Sequence, residues 1–457
     1  MRPGRAVVVG AGIAGLLAAR VLTEHFARVV VLDRDPAGTT EAGTGVVPAR
    51  RGVPQGGHLH GLLDRGRAVM EELHPGLTAE LVGRGARTAE PLVDTRWYLH
   101  GRRLHPGPTG LRSILSTRPL LEDVLRSRTA ALPGVVVADA TVTGLHCDAG
   151  VVRGVWTRDC PDPLTADLVV DASGRGSRIP DWLDELGLTP PPEERVDVDL
   201  GYTSRLYRRE PWHLDGDLAA TVSTVPRSRG GGLLAVEGDR WSVTLAGMQG
   251  DHPPVDDAGF RAFAASLPTS AISEVVEVAE PLDDPRPYRF RGSCRRRFDR
   301  AHGLPEGLVV VGDAVCSLNP LYAQGMSVAA MQVLALRDWL STSAPAAALH
   351  RRIARVCDGP WEIATRADLA LTGADRPWTA RLRDDYIDRM QRVAHRDPVV
   401  ARAVIRVANL TDPAAAATTP EMLLRTLRPG AAATSAHSAE TSATAGNDRT
   451  VTNSESR

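Results

Sequence analysis

The sequence predicts an α/β fold: a Rossmann-like dinucleotide-binding unit, an inserted antiparallel-sheet unit and a helical C-terminal region. Three stretches carry this. "VVVGAGIAGLLAARVL" (7–22) is an apolar run, a glycine turn and a helical pattern. "LVVVGDAVCSLNPLYAQGMSV" (308–328) repeats that scheme very late in the chain. "TPPPEER" (189–195) lies between them and marks a change to strand patterning that lasts to about residue 298.

The elements follow in order. Arg5 to Val9 reads as a buried strand, Ile13 to Phe26 as a helix and Arg28 to Leu32 as a second strand. Residues 36–57 are rich in Gly, Pro and Thr and read as loop, and His58 to Leu73 has helical periodicity. Pro119 to Thr129 reads as a helix entered through a first-turn proline. Val135 to Val142 and Val151 to Thr157 alternate like strands, and Leu168 to Ala172 is a buried strand ending in "DASGRGSR". Trp241 to Ala246 reads as a strand of the inserted unit and Asp257 to Ser266 as its helix. From Gly325 the pattern is helical to about 428, and the polar end of the chain reads as a disordered tail. The expected units are residues 1–180 and 299–345 for the dinucleotide domain, 181–298 for the substrate domain, 346–430 for the helical region and 431–457 for the tail.

A length of 457 residues suffices for two or three units, and a net charge of −1 gives no basis for nucleic-acid binding. All 54 basic residues are arginine, which excludes chemistry on a lysine amine. The five cysteines form no Cys-x-x-Cys pair, so a reducing cytoplasm is expected rather than a disulfide scaffold, and no zinc or other metal site is expected. No signal-peptide order of charges and no uncharged stretch of membrane-spanning length is seen.

Gly10, Gly12 and Gly15 form G-x-G-x-x-G between a strand and a helix. The first glycine permits the tight turn, the second lets the backbone approach a pyrophosphate, and the third lets helix and strand pack closely. The helix N-terminus offers N–H groups to phosphate. Asp33 ends the second strand, 18 residues after Gly15, where an acid binds the adenosine ribose. Asp313 follows another strand and would grip the middle of a dinucleotide lying across the sheet. FAD has a polyol chain there and NAD does not.

This combination resembles the FAD-dependent monooxygenases of the para-hydroxybenzoate hydroxylase fold. In that family a late Gly-Asp pair binds the ribityl chain, and a proline-glycine segment passes the flavin ring. The matching residues are Gly312, Asp313, Pro320 and Gly325, followed by Met326. The resemblance also implies FAD contacts from Arg34 and Arg118. A narrower resemblance rests on "GVPQGGHLHGLLDRG" (52–66), "STRPLLEDVLR" (116–126), "DLVVDASGRGSRIPDWLDELG" (167–187), "GDHPP" (250–254) and the 309–328 stretch. These are similar to the polyether-type (monensin/lasalocid) flavin epoxidases of actinobacteria.

The resemblance implies transfer of one oxygen atom from O2, through a flavin C4a-hydroperoxide, to an apolar polyketide or terpenoid, most directly as olefin epoxidation. NAD(P)H would supply electrons, directly or through a flavin reductase. Aromatic hydroxylation and prenyl-chain reduction are the rival reactions, and a non-catalytic flavin- or nucleotide-binding protein is the rival class. Halogenation on this fold needs a lysine, which the chain lacks. The middle motif reads Asp171-Ala172-Ser173-Gly174 where the family often has Asp-Gly, so no NADPH role carries over to it.

Gln55, His58 and His60 lie by resemblance at the flavin edge, where either histidine could give a proton, or else cap the helix beginning there. Cys316 reads as a small buried thiol, and Arg295-Arg296-Arg297 as a solvated surface or a nicotinamide-phosphate site. Trp97, Trp212 and Trp241 read as core or as cavity lining.

Overall fold

The computed structural model describes residues 2–35, 47–50, 52–225, 227–372 and 377–428. Most of the predicted loop at 36–57 and all of the segment from 429 onward, including the predicted tail, lie outside them.

Five strands build a parallel sheet: β1 (Arg2–Val9), β2 (Phe26–Asp33), β3 (Val135–Asp139), β4 (Leu168–Asp171) and β5 (Leu308–Val310). Their spatial order is β5-β4-β1-β2-β3. Val7, Val8, Val29, Val31, Val169, Val170, Val309 and Val310 are fully buried. Such unbroken β-branched runs suit a sheet covered on both faces. The covering helices include α1 (Ile13–Leu22), α2 (Asp64–Leu73), α3 (Arg118–Ala130), α4 (Gly325–Leu340) and α5 (Ala346–Thr372). β5 pairs with β4 with Val169 opposite Leu308. The late motif therefore completes the sheet that the opening motif begins.

An eight-stranded sheet forms the second layer, in the order 316–317, 286–296, 193–208, 240–248, 229–236, 219–222, 95–99 and 102–103. It is antiparallel except for one parallel pair, 95–99 with 219–222. It draws strands from both sides of the inserted stretch. Strand 316–317 pairs with 286–296 almost directly after Asp313. The last three α-helices, Trp378–Val393, Pro398–Ala408 and Pro420–Leu427, share a separate core with Leu92, Leu104 and Leu111. Among the described residues no helix is long and apolar enough to cross a membrane.

The helix expected from His58 starts instead at Asp64. His58 follows a short 3₁₀ turn at Pro54–Gly57, and Gly61–Leu62 pairs with Ile114 and Leu115 as a strand. Three glycines between 56 and 61 weaken a helix there. The histidines consequently do not cap the start of that helix, although His58 closes the short 3₁₀ turn before it.

Candidate active site

The opening turn has the geometry its three glycines imply. Gly10 sits at φ +100°, and a Cβ on it would lie 2.6 Å from the Ala172 carbonyl oxygen. A Cβ on Gly15 would lie 1.8 Å from the Gly10 carbonyl oxygen, so helix and strand are in closest contact there. A Cβ on Gly12 would meet nothing within 4 Å. That open face at the N-terminus of α1 is where a phosphate can approach.

Asp33 lies beside this turn. The Ala11 N–H donates to its Oδ2 (2.6 Å) and the Asp35 N–H to its Oδ1 (2.9 Å). Arg50 bridges it to Glu122, at 3.2 Å from Asp33 and 3.0 Å from Glu122, with all three side chains buried or nearly so. Arg118, the first residue of α3, pairs with Glu122 (2.9 Å). Arg126 lines the same cleft, and one of its Nη atoms is buried with no hydrogen-bond partner among the described residues. Burial, with the nearby Arg50 charge, pushes the Arg126 pKa down. Arg34 is exposed just past the end of β2. Arg50, Glu122 and Arg126 were missed from sequence, although Glu122 stands four residues after Arg118 and so on the same helix face.

Asp313 is the second carboxylate at a strand end. Gly312 precedes it at φ +72°, where a Cβ would lie 2.7 Å from the Ala14 Cβ, so the late motif packs on the start of α1. The Gly312 N–H donates to Gln332 Oε1 (2.6 Å), which ties the turn to α4. An ideal Cβ on Gly325, at the first turn of α4, lies 3.9 Å from Asp313 Oδ1. Among the described residues the Asp313 carboxylate makes no hydrogen bond or ion pair. Burial raises its pKa, opposed by Arg118 and Arg175. Pro320 begins a 3₁₀ turn whose neighbour Leu321 packs on Val198, Leu200, Tyr202, Met248 and Phe290, and Met326 is buried in α4.

The histidines sit at the junction of the two sheets. His58 Nδ1 lies 2.8 Å from Ser204 Oγ, and its ring meets Tyr202 edge-on at 4.7 Å. Burial, aided by the Arg286 charge, lowers its pKa to about 4. His60 Nδ1–H donates to the His58 carbonyl (2.9 Å). Burial, then the Arg118 charge, lowers its pKa to about 3. Neither ring is an imidazolium at neutral pH, so any hydrogen given by them comes from a neutral N–H. The Arg118 charge reaches Asp313, His60 and Tyr202 alike. The structure thus gathers residues from 60 to 313 around one guanidinium.

Arg295, Arg296 and Arg297 correct the sequence reading, because all three are buried. Arg295 bonds the Ala354 carbonyl and Asp358, and Arg297 pairs with Glu194 and Asp299. Arg296 bonds Glu193, the Ala314 carbonyl and the Arg175 carbonyl. They fasten the eight-stranded sheet to α5 and to the Gly312-Asp313 turn, so their charges are already met by partners within the chain. Asp171 is fully buried and accepts from Ser177 Oγ (2.6 Å) and the Ser173 N–H (3.1 Å), so it holds its own turn. Cys316 is buried against Cys357, and their mutual hydrogen bond and burial push its pKa well up. Trp241 is core, Trp97 packs on the C-terminal helices and Trp212 is 64% exposed, so none lines the junction. Among the described residues no group of three or more His, Cys, Asp or Glu could hold a metal ion.

The comparisons agree with this geometry. Residues 8–71 match the NAD(P)-binding Rossmann-like domain family. The brominase Bmp2, described as flavin-dependent, superposes with a TM-score of 0.64 at 15% identity over 88% of this chain and 92% of its own. PqsL of Pseudomonas aeruginosa, described as a probable FAD-dependent monooxygenase, superposes with a TM-score of 0.61 at 16% identity over 81% and 99%. Fold and site define the class: this is the flavin-dependent monooxygenase fold. Protein Rv3254 of Mycobacterium tuberculosis is 32% identical over 89% of this chain and 90% of its own length. The chain belongs to the family of that protein. The 6-methylpretetramide 4-monooxygenase of Streptomyces rimosus is 27% identical over 72% of this chain and 73% of its own.

Proposed function

We propose that this protein is a FAD-dependent monooxygenase that places one oxygen atom of O2 in an apolar natural-product intermediate. The observation that carries this is Asp313. A half-buried carboxylate stands without a partner among the described residues just past the end of β5, on the same sheet as the glycine turn and Asp33. Burying an unpaired charge is costly unless a ligand supplies the missing donors. The hydroxyls of a ribityl chain are such donors.

The residues fit FAD along its length. Gly12 and the N-terminus of α1 take the pyrophosphate, Asp33 the ribose and Arg126 an acceptor of the adenosine end. Arg118, Asp313 and the N-terminus of α4 take the ribityl chain and ring, where the helix dipole favours negative charge. Bound FAD, once reduced, would supply the electrons and activate O2. NAD(P)H would provide those electrons, directly or through a reductase. The protein's part is to orient the substrate and exclude water, for which Tyr202, Tyr288, Phe290 and Leu321 give an apolar wall. His58 and His60 border that wall as neutral rings.

The reaction we propose is epoxidation of a double bond, on the strength of the five-stretch resemblance. Hydroxylation of an aromatic polyketide is the second reading, supported by the name of the Streptomyces rimosus relative and by the aromatic wall. Two measurements test the proposal. Denatured protein should release FAD, and release of NAD alone would end it. With labelled O2, an epoxide carrying one heavy oxygen supports the first reading and a labelled phenol the second. Label arriving from water excludes both, and a product gaining only two hydrogens points to reduction.

A further inference from the structure

The polar contacts of His58 form a chain with one direction. The Leu59 N–H donates to Thr244 Oγ1 (3.2 Å), Thr244 Oγ1 lies 2.6 Å from Ser204 Oγ, and Ser204 Oγ lies 2.8 Å from His58 Nδ1. Both hydroxyls are buried. Among the described residues the Thr244 hydroxyl proton has one acceptor within reach, Ser204 Oγ. The Ser204 proton must then go to His58 Nδ1. The opposite direction would leave a buried hydroxyl proton with no acceptor. The ring consequently carries its hydrogen on Nε2, and Nε2 makes no hydrogen bond among the described residues. The neighbours are Tyr202 and Tyr288, with ring centroids at 4.7 and 5.5 Å, the Arg286 charge, and His60, which is bonded to the His58 carbonyl.

We infer that His58 is a substrate-binding residue whose Nε2–H, fixed by Ser204 and Thr244, receives an oxygen acceptor on the substrate beside the Tyr202–Tyr288 wall. The inference rests on the monooxygenase reading and narrows it. The substrate is an oxygenated one, a ketone-, quinone- or ether-bearing polyketide, rather than a bare hydrocarbon terpenoid. A pure hydrocarbon packed over it would cover this donor and leave it unpaired, and that is the usual basis for strong rejection of an analogue lacking the polar group. With its pKa lowered to about 4, the ring stays a neutral donor through the physiological range.

The test has two arms. In the first, nitrogen-15 histidine NMR of the wild-type protein, with the His58 signal assigned by its loss in His58→Phe, should show the Nε2–H tautomer with no titration between about pH 5.5 and 8. Ser204→Ala should mix the tautomers. This arm needs neither cofactor nor turnover, and an Nδ1–H tautomer in the wild type would overturn the inference. In the second, FAD-loaded protein is titrated with anthraquinone and with anthracene, read by the perturbation of the flavin spectrum. Wild type should prefer the quinone by about tenfold or more, and His58→Phe should abolish that preference. An equal preference in wild type and variant would overturn the inference and leave the monooxygenase reading standing. Failure to take up FAD at all would overturn that reading while the NMR result still judged the tautomer.

Discussion

Two carboxylates close strands of one sheet, and they live very differently. Asp33 has two backbone N–H donors and Arg50, which is itself held by Glu122. Asp313 has none of these among the described residues, only the distant charges of Arg118 and Arg175. Asp33 therefore belongs to the folded chain as much as to any ligand, and its removal should harm both. On the proposed reading, Asp313 would serve the ligand far more than the fold. An acid that is worth nothing to the fold is a better functional marker than one that is fully bonded.

Substitution can break this comparison, and the largest effect is expected at the turn between the two acids. Gly15→Val puts a side chain where the Gly10 carbonyl already stands, so soluble folded protein should be lost. Gly12→Ala has open space, and should keep the melting temperature while weakening FAD binding. If both variants fold equally well, the close helix–strand approach is wrong.

Next comes the contrast of the acids themselves. Arg50→Leu removes the cation that Asp33 and Glu122 share, leaving Asp33 its two N–H donors and Glu122 its Arg118 partner, and should cost about 1–3 kcal/mol in a denaturant titration of the cofactor-free protein. Asp313→Asn should leave that stability unchanged or slightly raised, yet weaken FAD by about tenfold through lost charge-assisted bonds. Equal stability losses in the two variants would erase the distinction.

A smaller effect sharpens it. Asp368 is a buried acid, but Asn319 and the Tyr322 hydroxyl both donate to its Oδ1 (2.8 Å each), while Oδ2 has no partner among the described residues. Burial raises its pKa to about 6. Its ionised form thus costs stability that is absent in acid, grows as pH rises from the usual carboxylate range, and is complete above about pH 6. Asp368→Asn should gain about 1–3 kcal/mol at pH near 8 and little at pH near 4. FAD affinity should not move. The histidines act with the opposite pH sense. His58 and His350, both lowered to about 4 by burial, favour the folded state at neutral pH, and that contribution fades as pH falls from about 6.5 towards 4.

The opening motif was legible because its signal is local: strand, glycines, helix and acid lie within one short run. The late Gly-Asp was legible as a strand end, and resemblance gave it a ligand. What stayed hidden depends on partners far away in sequence. His58 is oriented by Ser204, 146 residues on, and Arg50 is buried by Glu122, 72 residues on. Three consecutive arginines looked like a solvated surface because arginine is costly to bury alone. They are buried because Glu193, Glu194, Asp299 and Asp358 meet them from other elements. The helix placed at His58 failed for a like reason, since Leu62 pairs across to Ile114.

Strand 316–317 follows Asp313 by three residues and is hydrogen-bonded into the large sheet through Cys294 and Arg295. Arg296 adds a clamp from that sheet to the carbonyls of Ala314 and Arg175. The turn that would hold the cofactor and the wall that would hold the substrate are thus fastened to each other by strand pairing and by the Arg296 guanidinium. Swinging one sheet away from the other would have to break these bonds, so they hold the spacing between Asp313 and Tyr202. The C-terminal helices, by contrast, pack on the molecule through a core of their own.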